Sequence, residues 1–139
     1  MTKEHLQTTT AGRWIGVGAL LAMLAVMLGA FGAHGLKSHF SEQQMAWYQT
    51  AFQYHIIHAI ALIITGLASA LTPSKNLPKL AGLCFLSGVL LFSGSLYTLA
   101  LTQMRWLGAI TPLGGIAFLF GWGLLAVAGF RINQKENPS

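Results

Sequence analysis

Four long stretches of the chain carry no Asp, Glu, Lys or Arg: residues 14–36, 43–74, 80–104 and 106–130. The hydrocarbon core of a bilayer is about 30 Å thick and takes about 20 apolar residues of α-helix to cross. Each stretch meets that length. Only 8% of the residues are charged, against about 25% in a soluble domain. The sequence therefore predicts an all-α integral membrane protein, a four-helix up-and-down bundle.

The four spans leave little chain for anything else. We expect one transmembrane domain, residues 13–131, between a disordered cytoplasmic N-terminus (1–12) and a cytoplasmic tail (132–139), with helices over about 13–34, 42–71, 79–102 and 108–130. A cleaved signal peptide is the rival interpretation of the first helix. Its apolar run is longer than the roughly 7 to 15 residues of the apolar region within a signal peptide, which favours a retained span.

Local signals indicate where two of the helices begin. Ser41 followed by Gln44 fits a capping box, which starts the second helix near residue 42. The fourth helix has two alternative starts. Thr111 as N-cap with Pro112 in the first helical position begins it there, whereas a helix from Trp106 would be kinked at the proline.

The basic residues alternate with the spans and so indicate orientation. An up-and-down path places six of them on one side of the membrane: Lys3, Arg13, Lys75, Lys79, Arg131 and Lys135. Only Lys37 and Arg105 fall on the other side. By the positive-inside rule both termini face the cytoplasm. We also expect four aromatic residues to lie at the membrane interfaces: Trp14, Trp47, Tyr48 and Trp106.

Polar side chains within the spans concentrate in the half of the membrane away from the termini. The candidate ligand-binding residues are His34, Tyr54, His58, Ser93, Ser95, Tyr97 and Thr111. Ionisable residues inside a membrane indicate function by default. Small residues such as Gly29 and Gly32 are expected instead to let helices pack closely.

Three interpretations of this polar cluster remain open. In the first, His58 only makes hydrogen bonds that hold the helices together. In the second, the cluster is the wall of a pocket for a lipid headgroup, another hydrophobic small molecule or a membrane-protein partner. In the third, His34, His55 and His58 bind a metal or haem. No carboxylate or Cys lies nearby to complete such a site, so we expect no metal and no cofactor.

The sequence offers no support for catalysis. The spans contain no Ser/His/Asp set, paired carboxylates, phosphate loop or zinc signature, so we expect no enzyme activity and no catalytic residue. The scattered basic residues form no patch for nucleic acid. The alternative functions are an oligomeric small-solute channel or transporter and, less favoured, a haem- or metal-binding redox protein.

Four segments carry a resemblance to a known family: LGAFGAHGL (28–36), WYQTAFQYHIIHAIAL (47–62), FSGSLYTLAL (92–101) and ITPLGGIAFLFGW (110–122). Over residues 18–131 the chain resembles the domain of unknown function 423 family, also called uncharacterised protein family 0382, which includes transmembrane protein 256. The resemblance implies a four-helix protein of the bacterial inner (plasma) membrane with no established activity. The family's polar positions fall here on His34, Gln49, Thr50, Tyr54, His58, Ser93, Ser95, Tyr97, Thr111 and Pro112.

Taken with the resemblance, the residues point to a small, non-enzymatic binding or accessory protein of the inner membrane. Its polar cluster is expected in the periplasmic half of the bundle. The expected partners are the lipid bilayer, a hydrophobic small molecule or another membrane protein, and a second copy of the chain.

Overall fold

The computed structural model of the chain describes residues 3–74 and 76–132. Every regular element in these residues is a helix, and none is a strand. The α-helices are α1 (Lys3–Phe31), α2 (Glu42–Leu71), α3 (Asn76–Gly88), α4 (Gly94–Thr102) and α5 (Thr111–Ile132). One π-helical turn extends α1 (Gly32–Leu36), a second joins α3 to α4 (Val89–Ser93), and a 3-10 helix precedes α5 (Arg105–Ala109).

These elements make four continuous spans in the described part of the chain, each long and apolar enough to cross a membrane. They are Thr9–Leu36, Glu42–Leu71, Asn76–Thr102 and Arg105–Ile132. Large apolar side chains point outward along them, including Leu119 and Phe130. Such a surface is a liability in water but suits lipid. The predicted fold class is confirmed.

The second helix has the predicted bounds because local signals fix both of its ends. The Ser41 hydroxyl accepts a hydrogen bond from the Gln44 backbone N–H at 3.2 Å, and Gln44 Oε1 accepts one from the Ser41 backbone N–H at 3.1 Å. This is the capping box that the sequence predicts. At the other end Thr72 takes an extended conformation before Pro73, as residues that precede proline prefer.

The first and third helices begin earlier than expected. We expected residues 1–12 to be disordered, but α1 begins at Lys3. The two helices touch near this end, because a Cβ added to Gly66 of α2 would lie 2.8 Å from the Ala11 carbonyl. The third helix begins at Asn76 rather than at residue 79. Pro78 is then in the first turn, where a missing N–H costs no intrahelical bond.

The fourth span combines features of both alternatives for its start. The α-helix begins at Thr111, but a 3-10 helix over Arg105–Ala109 leads into it. Thr111 does not act as the expected N-cap. Its hydroxyl lies 2.8 Å from Ser95 Oγ and donates to the Leu107 carbonyl at 3.3 Å. The helix continues through Ile132, which was assigned to the tail, and residues 133–139 of the predicted tail lie outside the described residues.

The four spans pair as two hairpins of consecutive spans, and α2 of the first hairpin also contacts the second hairpin. The α1 helix packs chiefly on α2, and α5 packs chiefly on α3, while α2 also contacts α3 and α4. Glycines allow the close approach. A Cβ added to Gly82 of α3 would lie 2.2 Å from the Trp14 indole of α1, and one added to Gly114 would lie 2.4 Å from the Phe92 backbone nitrogen.

The aromatic residues expected at the interfaces have different roles. Trp106 is 63% exposed, as an interfacial anchor would be. Trp14 and Tyr48 are buried instead, 8% and 3% exposed. Each lies against a glycine of a neighbouring helix, Trp14 on Gly82 and Tyr48 on Gly32. These two rings therefore serve helix packing.

Candidate functional site

The seven candidate residues do not form one cluster. The structure separates them into a group around His58, a contact between Tyr97 and His55, and a contact between Ser95 and Thr111. Ser93 is buried, and its hydroxyl has no hydrogen-bond partner among the described residues. His34 is exposed on the π-helical turn after α1. Trp122 in the first group and His55 in the second were not among the candidate residues.

His58 lies near the middle of its span, 4% exposed, with both ring nitrogens in hydrogen bonds. Nδ1 lies 2.7 Å from the Tyr54 carbonyl, and the Trp122 indole N–H donates to Nε2 at 3.1 Å. A carbonyl can only accept and an indole N–H can only donate. The ring is therefore the neutral tautomer that carries its hydrogen on Nδ1.

Aromatic rings surround His58 on its remaining sides. The Phe118 ring stacks on the imidazole with centroids 3.4 Å apart, and Tyr54, Phe85 and Trp122 lie with centroids about 6 Å away. We call these five residues the His58 cluster. It joins α2, α3 and α5 and leaves neither imidazole nitrogen free to bind a ligand. Its geometry matches the packing interpretation of His58.

A second polar group lies where α1, α2 and α4 meet. The Tyr97 hydroxyl is 3.4 Å from His55 Nδ1, and the Tyr97 ring packs edge-on against Tyr48 at 4.9 Å. Tyr48 in turn donates from its hydroxyl to the Leu28 carbonyl of α1 at 2.7 Å. His55 is 2% exposed, and its Nε2 makes no hydrogen bond with a described residue, although the ring lies near the Leu21 carbonyl.

The metal interpretation finds no supporting arrangement in the described part of the chain. No group of three or more His, Cys, Asp or Glu side chains there could hold a metal ion. His34 is on the surface after α1, whereas His55 and His58 have different partners, the Tyr97 hydroxyl for the first and the Trp122 indole for the second. The three histidines thus do not converge.

The structure contains a feature that sequence reasoning missed, a groove between the end of α1 and the start of α2. Its volume is about 360 Å³. It is lined by Gly29, Gly32, Ala33, Lys37, Met45, Tyr48, Gln49 and Phe52. We call it the α1–α2 groove, and we call the end of the bundle that carries Lys37 and Arg105 the Lys37 end. None of the seven candidate residues lines the groove.

Glycines of the first span let α2 pack closely beside the groove. Gly29 lies against Phe52 and Gly32 against Tyr48, so close that a Cβ on either glycine would meet the opposing ring within 2.7 Å. The small residues were visible in the sequence, where they were assigned to helix packing. The sequence does not show how the two helices are rotated about their axes. In the structure this rotation leaves Ala33 and Gln49 exposed beside the small residues.

The comparisons with known proteins agree with the resemblance. A sequence model of the family described as Protein of unknown function (DUF423) matches residues 28–115. A UPF0382 membrane protein of Staphylococcus haemolyticus is 48% identical over 118 residues, which cover 85% of this chain and 95% of that protein. The UPF0382 membrane protein YwdK of Bacillus subtilis is 42% identical over 118 residues, 85% of this chain and 96% of that protein. No solved structure matches the chain.

The matched residues contain three of the four resembling segments in full and the first half of the fourth. Together with the four apolar spans, these relatives identify a multi-pass bacterial membrane protein. The chain belongs to the DUF423 family, whose relatives of similar length are named UPF0382 membrane proteins.

Proposed function

We propose that this protein is a non-enzymatic binding or accessory protein that holds a hydrophobic molecule in the α1–α2 groove. The groove is the observation that carries the proposal. It combines apolar walls, formed by Phe52, Met45 and the Tyr48 ring, with polar groups from Lys37 and Gln49. Ligand sites are typically concave and apolar with a few polar groups that fix orientation.

The arrangement of the other polar groups supports a role without catalysis. Catalysis needs a nucleophile or base with free reach to a substrate. His58 has both nitrogens engaged, and Ser95 lies against Thr111 and the Phe92 carbonyl rather than beside a base. These contacts fit a scaffold that holds the spans together while the groove binds.

We further propose that the Lys37 end faces the outside of the cell, as the distribution of basic residues indicates. The groove then opens at the outer leaflet, which is the periplasmic side in a bacterium with two membranes. The Ser95–Thr111 and Tyr97–His55 contacts lie in the same half of the bundle as the groove. None of these four residues lines the groove, so the bound molecule does not contact them.

Native mass spectrometry of the protein purified in a mild detergent, with its co-purified lipids, tests the proposal. Ala33→Phe places a large side chain in the groove at an exposed position. We expect this variant to retain at least about fivefold less of the bound molecule than the wild-type protein does. Ala30→Phe is the matched control, because Ala30 is exposed on the same helix and does not line the groove.

Two outcomes contradict the proposal. One is that the wild-type protein carries no bound molecule under conditions that preserve its fold. The other is that both variants retain the molecule equally, which would place the binding surface elsewhere. Circular dichroism confirms that each variant is folded before its mass spectrum is compared.

A further inference from the structure

The α1–α2 groove changes character along its length. Gly29 and Phe52 lie in the deeper part, and Lys37 follows the π-helical turn that ends the first span. Eight residues separate Gly29 from Lys37, which corresponds to about 12 Å along a helix. The groove therefore runs from a cationic end at the membrane surface to an apolar end among the hydrocarbon chains.

The cationic end has no partner within the described part of the chain. Lys37 makes no ion pair or hydrogen bond with a described residue, and the side-chain amide of the neighbouring Gln49 makes no hydrogen bond there either. Of the three acidic residues in the chain, two lie near the termini, and only Glu42 belongs to the Lys37 end. The Lys37 ammonium thus lies at the surface end of the groove, and the free Gln49 amide lies deeper, about two turns into α2.

This gradient matches one class of molecule. A phospholipid has a phosphate at the membrane surface and acyl chains that extend into the hydrocarbon core. A lysine near the surface attracts an anionic headgroup and does not attract a zwitterionic one to the same extent. The Gln49 amide, deeper in the groove, can donate to an ester oxygen where the acyl chains begin. The Phe52 ring, deeper still, can contact a chain.

We propose that the α1–α2 groove binds one anionic phospholipid, with its phosphate at Lys37 and one acyl chain along Gly29, Gly32 and Phe52. This inference rests on the proposed function, since it assumes that the groove is the binding site. It adds the chemical class of the ligand. It also assigns to Lys37 the role of selecting an anionic headgroup.

The test uses the full-length protein in nanodiscs that contain equal amounts of phosphatidylglycerol and phosphatidylcholine with identical acyl chains. Native mass spectrometry measures which lipid stays bound after the disc is removed. We expect the wild-type protein to retain phosphatidylglycerol about fivefold over phosphatidylcholine, the preference that one lysine near an anionic headgroup provides. Lys37→Gln should abolish the preference, and Lys37→Arg should keep it.

Arg105→Gln is the matched control for loss of a positive charge. Arg105 lies at the same end of the bundle and does not line the groove, so its removal should leave the preference intact. An equal loss in both variants would show that general surface charge attracts the lipid and would overturn the assignment to Lys37. Equal retention of the two lipids by the wild-type protein would overturn the inference as well.

The Ala33→Phe variant separates failure of this inference from failure of the proposed function. If the wild-type protein retains both lipids equally and Ala33→Phe releases both, the groove binds lipid without selecting charge. If Ala33→Phe releases neither, the groove is not the binding site. In that case both proposals are wrong.

Discussion

At the scale of single residues, the most constrained side chain is His58. Its two nitrogens connect the Tyr54 carbonyl on its own helix to the Trp122 indole on α5, and Phe118 stacks on its ring. A hydrogen bond between membrane helices contributes roughly 0.5 to 2 kcal/mol. A buried histidine with both nitrogens satisfied is thus a source of helix association.

We predict that Trp122→Phe destabilises the protein by about 1 kcal/mol, because it removes the donor to His58 Nε2 and leaves that buried nitrogen unsatisfied. The phenyl ring keeps most of the aromatic packing on Phe85, whose centroid lies 5.1 Å from that of Trp122. Unfolding in mixed micelles of dodecyl sulfate, followed by circular dichroism, measures the change.

Trp106→Phe is the control for that experiment. It makes the same substitution at a position that is 63% exposed, where the effect should stay within about 0.5 kcal/mol. Equal stability of the two variants would mean that the bond from Trp122 to His58 contributes nothing measurable.

At the scale of elements, the π-helical turn Val89–Ser93 determines how the third span meets the fourth. Gly114 of α5 lies against the backbone of Phe92 within that turn, and a Cβ there would be 2.4 Å from the Phe92 nitrogen. Backbone atoms cannot rotate away as a side chain can. The pairing of the third and fourth spans therefore requires glycine at this position.

We predict that Gly114→Ala destabilises the fold by about 1 to 3 kcal/mol, the usual cost of overpacking a well-packed contact. Gly123→Ala on the same helix is the matched control, since a Cβ there would meet nothing within 4 Å. Both variants are compared by the same unfolding assay. A Gly114→Ala protein as stable as Gly123→Ala would show that α5 shifts freely against the turn.

The elements also show what sequence reasoning can reach. The spans and the capping box at Ser41 and Gln44 were predictable because each depends on neighbouring residues. The π-helical turns were not, since they change hydrogen-bond register without a distinctive residue. The contact of His58 with Trp122 joins residues 64 apart in sequence, and the groove depends on helix rotation. Neither could be derived from the four apolar stretches.

At the scale of the whole molecule, orientation decides which side of the membrane the groove faces. In the orientation that we propose, the Lys37 end lies outside, because most basic residues lie at the other end. Cys84 is the one cysteine of the chain. Replacing Cys84 by alanine gives a cysteine-free protein, into which single cysteines can be introduced for labelling.

In that background we predict that Ser38→Cys reacts with a membrane-impermeant maleimide in intact cells, because Ser38 is exposed in the connection between α1 and α2. Ser74→Cys, at the connection between α2 and α3, should react only after the membrane is permeabilised. Labelling is read as a mass shift on a gel. The reverse pattern would place both termini outside and open the groove toward the cytoplasm.

The pairing of the spans has a consequence for biogenesis. The α1 helix packs chiefly on α2, its immediate neighbour in the chain, at contacts such as Gly18 against the Ala59 carbonyl. The α5 helix packs chiefly on α3, so the second half also forms a hairpin of consecutive spans. During synthesis the first hairpin can assemble in the bilayer before the second leaves the ribosome. The contacts that complete the His58 cluster, between α2 and α5, must wait until the fourth span has been made.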